Sequence, residues 1–371
     1  MPMRSPLHSR HQAAAARFGD VAGWEMPMSY GSIIGEARRA RDRAGLIDMS
    51  HVGRLRIRGD GALAMLERLC CADVARQDDD TAISACLCNE RGGIVDNCTL
   101  IRLDDAWWML CSPMNRFKAL EHLGAYADNV KIEDYTEKTC QLSVVGPDAP
   151  GILDAVLPEK TADLPDGAVK AGSFMIARYV AVRQSLCGVW GLDVILPTML
   201  GGMAWDFITK KAGDNAIQPV GLSAWDVLRT EAGTPAYGRE LNETIDPITA
   251  GLADKIDFSR DFIGASALAE IRRRGPVRKL AGLVLDGPNG CRPQGETNAM
   301  PEATAIPRQG SPVFDATGAE VGAIASATFS PGLDAVIATI YVAPGVAPGD
   351  KVSVELPQAR CAAHVVTLPF V

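Results

Sequence analysis

Histidine is scarce in this sequence, with five in 371 residues. The ten cysteines do not make up for it as metal ligands. Cys70 and Cys71 are adjacent and Cys86 and Cys88 are one residue apart, whereas a structural metal site wants Cys-x-x-Cys pairs answered by a second pair or by histidines. An oxidised framework is equally unexpected in so long a chain with no secretory signal, and the thiols read as small apolar residues in a reducing compartment. No apolar run reaches the ~18–20 residues that a membrane span requires. A surplus of positive charge is also missing: 37 Lys and Arg face 45 Asp and Glu, a formal net charge of −8. That balance argues against wrapping a nucleic-acid backbone. These absences together lead us to expect a soluble, cytoplasmic, monomeric protein with no metal, no nucleic-acid partner and no membrane association.

What is present is ordinary for a globular enzyme: 47% hydrophobic and 22% charged residues over a length that suits two or three domains. Arg4, Arg10 and Arg17 flank an alanine run that lacks the apolar core of a targeting peptide. Residues 13–18 read as a helix ending near Gly19, and 19–30 as loop. Residues 32–43 read as a helix with Ile33, Ile34 and Ala37 on one face and Arg38, Arg39, Arg41 and Arg43 on a solvated one. The alternation of Leu55 and Ile57 with Arg54, Arg56 and Arg58 suggests one strand over 46–58. A helix over 61–69 follows, then a hairpin of 83–88 and 95–103 about Gly92-Gly93, a strand over 107–112, a helix over 115–126 and a strand over 141–145. This rhythm predicts an α+β domain with an antiparallel sheet. The middle repeats the mixture, with strands at 176–182 and 193–196 and helices at 200–212, 223–232 and 265–273. After Arg274-Gly275-Pro276, short strands at 280–285, 313–315, 320–324, 335–341 and 352–356 predict a small all-β barrel or sandwich. Residues 286–306 are a polar Pro/Gly stretch.

Six stretches occur in one order. They are Pro6-Leu7-His8 with Gly23-Trp24-Glu25-Met26-Pro27; Asp48-Met49-Ser50-His51-Val52-Gly53; and Asn89-Glu90-Arg91-Gly92-Gly93-Ile94-Val95-Asp96. Arg229-Thr230-Glu231-Ala232-Gly233 with Tyr237-Gly238-Arg239-Glu240, Thr244-Ile245-Asp246-Pro247, and Ala327-Thr328-Phe329-Ser330-Pro331 complete them. Together they resemble the aminomethyltransferase family of the glycine cleavage system, the T-proteins. The resemblance implies a three-domain folate-binding fold: two α+β domains with antiparallel sheets, one discontinuous (1–50 and 140–275) and one (51–139) carrying Asp96, plus a C-terminal β-barrel (276–371). It also implies transfer of a one-carbon unit from a lipoyl-bound aminomethyl group to tetrahydrofolate with release of ammonia, and a lipoylated carrier, the H-protein, as partner.

The resemblance makes Asp96 the residue nearest the chemistry. A carboxylate there would orient the attacking folate amine, stabilise its developing positive charge and relay a proton; on local pattern alone it is a turn Asp after Gly-Gly. Asn115 would meet a pterin edge, or cap the following helix. Arg229, with its planar fork, would grip a folate carboxylate, or form an intrahelical ion pair. Tyr237 would stack or hydrogen-bond in the cavity, and Asp193 would supply a second acidic group. Trp24 and Met26 are expected in the cavity wall. His51 has the side chain of a general base, but a lone histidine reads first as structural.

Three positions depart from the family pattern. Val189 stands where a pterin-binding Glu is expected, Ser84 where a Tyr is, and Ser112 where an Asn is. A lost carboxylate would leave pterin donors unpaired, at about 1–3 kcal/mol. Two further readings therefore stand beside the first: a tetrahydrofolate-dependent demethylase of a small methylated compound, and a non-catalytic folate-binding paralogue. The scaffold branch linked to iron–sulfur protein maturation carries a Lys-Gly-Cys-Tyr motif that is not found in the matching region near residues 254–264.

Overall fold

The computed structural model describes all residues except 1, 158–159, 175–176, 186, 212, 214–215, 287–304 and 357–358, so the polar stretch 286–306 falls almost wholly outside the described residues. Alternating runs of β-branched and apolar residues assemble into two main sheets and a barrel. One sheet has five strands in the order Thr81–Cys88, Ile94–Leu103, Ala106–Cys111, Gly53–Arg58 and Lys131–Asp134. The other has six, Val169–Phe174, Ala177–Arg183, Gly191–Pro197, Thr139–Val145, Gly45–Asp48 and Gln218–Pro219. Every pairing in the two is antiparallel except the last, where Gln218 runs parallel to Gly45. Beyond the helix Ala265–Arg274, six strands between Lys279 and Val366 close into a barrel. The α+β class with a C-terminal barrel is thus as the strand rhythm predicts, and closure selects barrel over sandwich. Among the described residues no helix is long and apolar enough to cross a membrane.

Several local expectations are corrected. The first helix is His8–Ala13. It stops because Ala15 takes φ 55°, and residues 13–18 lead instead into the strand Arg17–Val21. That strand pairs with Trp24–Ser29 across a turn in which Ala22 and Gly23 have φ of 53° and 81°, so 19–30 is a hairpin and not a loop. Residues 46–58 form two strands, one in each sheet, because Asp48 Oδ1 accepts from Ser50 N at 2.9 Å and reverses the chain. The arginine face of the helix Ile33–Asp42 is not simply solvated, since Arg41 pairs with the buried Glu231. The strands Lys131–Asp134, Val169–Phe174 and Arg360–Val366 and the helix Ala149–Asp154 were not expected from pattern.

The turn between Gly45–Asp48 and Gly53–Arg58 is held by one side chain. Arg54 is fully buried. Its guanidinium donates to Val52 O (2.7 Å), Ser50 O (3.0 Å), Thr139 O (3.1 Å) and Thr139 Oγ1 (2.7 Å). The five-stranded sheet is thereby tied to the first residues of a central strand in the other sheet. Burial pulls the Arg54 pKa down to about 10, which leaves it charged at neutral pH. Arg54→Met should remove these donors together and leave buried carbonyls unpaired, a loss on the order of 3 kcal/mol in denaturant unfolding. A loss under about 1 kcal/mol would mean that the carbonyls rehydrate freely.

Candidate active site

Where the two sheets meet, their facing residues are first apolar: Ile101, Leu103 and Leu110 pack against Val169, Val182 and Ile195. Beyond that contact the same faces turn polar and wall a cavity of about 840 Å³, within the size range of small-molecule sites. The five-stranded sheet contributes Ser84, Asn97, Thr99 and Ser112, and the six-stranded sheet Gln141, Ser143, Val145 and Asp193. Strand register explains the grouping, since Ser84 lies opposite Thr99 and Ser143 opposite Asp193. The helix Leu222–Glu231 adds Leu222, Trp225 and Asp226, the following segment adds Tyr237 and Arg239, and the barrel adds Ala327 and Thr328.

Asp193 is 5% exposed and is the best-held group on this wall. It accepts from Gln141 Nε2 at 3.0 Å, from Ser143 Oγ and from Gln184 Nε2. Burial raises its pKa, and these donors oppose the rise. Tyr237 also lines the cavity, with Lys118 Nζ donating to its hydroxyl at 2.9 Å.

Asp96 is placed differently from the expectation. It is fully buried and does not line the cavity. The hairpin that delivers it is fixed by glycine: Gly92 has φ 81°, and a Cβ on Gly93 would meet Glu243 O at 1.9 Å. The period of two along Ile94–Leu103 sets Asp96 on the face of Cys98 and Leu100, away from Asn97 and Thr99; Cys98 still reaches the cavity lining, and Asp96 does not. Its carboxylate lies behind the wall, accepting from Asn115 Nδ2 at 2.8 Å and from Ser112 N at 3.1 Å. Burial pushes its pKa up to about 6, against those hydrogen bonds. Asn115 therefore neither faces the cavity nor caps a helix with its side chain; its amide also donates to Val95 O at 3.1 Å.

Arg229 requires a correction as well. It is fully buried, with its fork occupied: Nη1 meets both oxygens of Glu240 (2.9 and 2.8 Å), Nε meets Asp226 (2.7 Å) and Nη2 meets Ser326 (2.6 Å). No part of it lines the cavity, and its fork is filled by Asp226, Glu240 and Ser326. Trp24 and Met26 pack in the core beside Ala37 and Val227, and neither lines the cavity. Val189 packs at the edge of that core, so its lack of a carboxylate removes nothing from the cavity wall; Ser84 and Ser112 do line it. Sequence reasoning missed Gln141, Ser143 and Gln184. The first two carried a signal, continuing with Thr139 a run of polar residues at alternate positions of a fully buried strand, Thr139–Val145. His51, first read as structural, is on the cavity wall.

With this geometry in place, comparison with known proteins is direct. Residues 7–260 match the GCVT N-terminal domain, and residues 278–371 match the glycine cleavage T-protein C-terminal barrel domain. The chain belongs to the glycine cleavage T-protein family. The aminomethyltransferase of Rubrobacter xylanophilus is 33% identical over 377 residues, covering 99% of this chain and 94% of that protein. That of Geobacillus kaustophilus is 31% identical over 380 residues, covering 100% and 99%. The crystal structure of glycine cleavage system aminomethyltransferase T from Bartonella henselae superposes with a TM-score of 0.87 at 29% identity, covering 100% of this chain and 98% of that one. T-protein membership makes the chain a transferase enzyme.

Arg229→Met separates the two roles considered for that residue. As a positioning residue, its loss leaves Glu240 buried without a counter-charge, and we expect about 3–5 kcal/mol of destabilisation in thermal or denaturant unfolding. An unchanged unfolding midpoint with weakened ligand binding would restore the direct grip.

Proposed function

We propose that this cavity is where an aminomethyl group, carried on the lipoyl arm of a small carrier protein (the H-protein), passes to tetrahydrofolate with release of ammonia. The observation that supports it best is a single cavity walled by both sheets and the barrel, with the buried carboxylate of Asp193 on its face. Tetrahydrofolate, when bound, supplies the amine nitrogen that takes up the one-carbon unit.

The residues present fit that ligand. Asp193 offers carboxyl oxygens as acceptors for the amino edge of a pterin, and Gln141, Gln184 and Ser143 keep it in place. Met28, Leu110, Val145 and Trp225 give the cavity an apolar lining for a flat ring. Tyr237, anchored by Lys118, offers a face and a hydroxyl. Asp96 acts from behind the wall: mostly ionised at neutral pH, it places a preorganised negative field where positive charge develops on the attacking nitrogen. Asn115 holds that carboxylate.

Calorimetry should show micromolar binding of tetrahydrofolate by the wild type, and Asp193→Asn should weaken it by about tenfold or more. No binding by the wild type would end the folate reading. Formation of methyl- instead of methylenetetrahydrofolate would favour the demethylase, for which the small Ser84 and Ser112 leave room in the wall.

Asp96→Asn tests the field. Activity should fall by about 100-fold or more, while stability at pH 7 should change little, because relief of the buried charge is offset by the new amide NH2 that faces Ser112 N or Asn115 Nδ2 at about 1–3 kcal/mol. Holding the Asp96 charge costs the folded state on the order of 3 kcal/mol. The cost is absent below about pH 4, where the group is protonated in both folded and unfolded chains; it grows as pH rises to about 6 and is constant above. The difference in stability between variant and wild type should shift in the wild type's favour as pH falls through that window. A difference that does not change with pH across it would contradict the assignment.

A further inference from the structure

We propose that His51 is a catalytic residue that takes the proton released by the attacking folate nitrogen and hands it to the departing ammonia. The inference rests on the aminomethyl transfer proposed above and names the group that moves its proton.

His51 lies on the turn between Gly45–Asp48 and Gly53–Arg58, lines the cavity, and is 5% exposed. Among the described residues, its Nδ1 is sealed from solvent without a partner. Nε2 is the nitrogen left for the cavity. His11 shows what a structural histidine looks like in this fold: fully buried, with Nε2 on Asp48 at 2.8 Å and Nδ1 on the Tyr30 hydroxyl at 2.8 Å. The same Asp48 carboxylate also takes Ser5 Oγ and Ser50 N, and this leaves His51 without a carboxylate to orient it or hold a proton on it.

The carboxylates that line the cavity already accept hydrogen bonds: Asp20 from Gly23 N and Asp226 from Arg229 Nε. Asp193 is held by three donors, the Tyr237 hydroxyl by Lys118, and Asp96 stands behind the wall. The charges acting on His51 are Asp48, which favours protonation, and Arg54, which opposes it. Burial, reinforced by Arg54, outweighs Asp48 and lowers its pKa to about 4. The imidazole is therefore neutral at pH 7. The proposed step uses the tautomer with the proton on Nδ1, which presents the Nε2 lone pair to the cavity.

A weak base is sufficient here, because an aniline-type nitrogen that has just formed a fourth bond is strongly acidic. The nitrogen lone pair forms the new bond to the one-carbon unit. The bond from that carbon to the ammonium group breaks, and its electron pair leaves with ammonia. The N–H proton passes to Nε2, and from the imidazolium to the ammonia, giving ammonium and neutral imidazole. The later cleavage of the carbon–sulfur bond is not assigned to His51.

The test uses the full-length protein, His51→Gln and His51→Ala, and ring-labelled histidine. We expect kcat to fall about 100-fold or more while the Kd for tetrahydrofolate stays within about threefold. Added imidazole should restore part of the rate to His51→Ala and none to His51→Gln. In the wild type with folate and no carrier, the His51 Nε2 resonance should move as that nitrogen accepts a hydrogen bond. A kcat within about threefold of wild type in either variant, a rate loss matched by lost folate affinity, or an unmoved Nε2 resonance would each overturn the proposal. Failure of the wild type to bind folate at all would sink the transfer reading itself, and His51's role with it, before any variant is made.

Discussion

Two charged side chains sealed from water on one helix, Arg229 and Glu231, connect the pieces that enclose the cavity. Arg229 reaches Glu240 on the segment that carries Tyr237, and Ser326 on a barrel strand. Glu240 in turn accepts from Thr339 Oγ1 at 2.6 Å and from Ala236 N at 2.9 Å. Glu231 accepts from Arg41, Ser330 and Gly332 N. Charges without water tolerate little misplacement, because any unmet donor or acceptor carries its full desolvation cost. Because Ser326 and Ser330 flank Ala327 and Thr328 on one strand, the contacts that dock the barrel also set the third wall of the cavity. An apolar contact would have permitted sliding; this one specifies register.

The opening between the sheets follows from strand alternation. Apolar residues face each other where the sheets touch, and polar residues on the same faces mark where they do not. Such a wall is expensive to fold. Asp193 and His51 are both desolvated in directions that disfavour their charged forms, and the unpartnered Nδ1 of His51 is a cost with no packing return. Natural cores pair such groups when stability is the only demand; here stability is conceded beside the cavity.

How far the sequence could be read depended on which interactions were local. The Gly-Gly hairpin, the helices at 61–69 and 223–232 and the short C-terminal strands were visible because turn chemistry and periodicity lie within a few residues. The first thirty residues were misread because Ala15 and Ala22 adopt positive φ, which nothing in their composition announces, and because Trp24 and Met26 are buried by a helix far along the chain. Arg229 looked like a ligand grip because its partners, Glu240 and Ser326, are joined to it only by the fold. Asp96 was placed at the chemistry by resemblance; the period of its own strand parts it from Asn97 and Thr99 but sets it with Cys98, which also lines the cavity, so alternation alone did not decide its side. The polar pair Gln141 and Ser143 on a buried strand was the clearest unread sign of a cavity.

Asp96 and His51 are shifted by the same cause in opposite directions. Burial raises the acid to about 6 and lowers the base to about 4, so that at neutral pH the carboxylate is ionised and the imidazole is not. With the order reversed, a protonated imidazole would repel an incoming ammonium and a neutral acid would offer it no field. With this order, the charge behind the wall is negative and the group on the wall has a free lone pair. Asp20, Asp193 and Asp226 add carboxylates to the cavity lining, while Arg239 is at its exposed edge. That distribution favours a donor that arrives as a cation and leaves as ammonia. In the transfer proposed above it also divides two roles that a single carboxylate would otherwise combine, charge stabilisation by the buried acid and proton movement by the histidine.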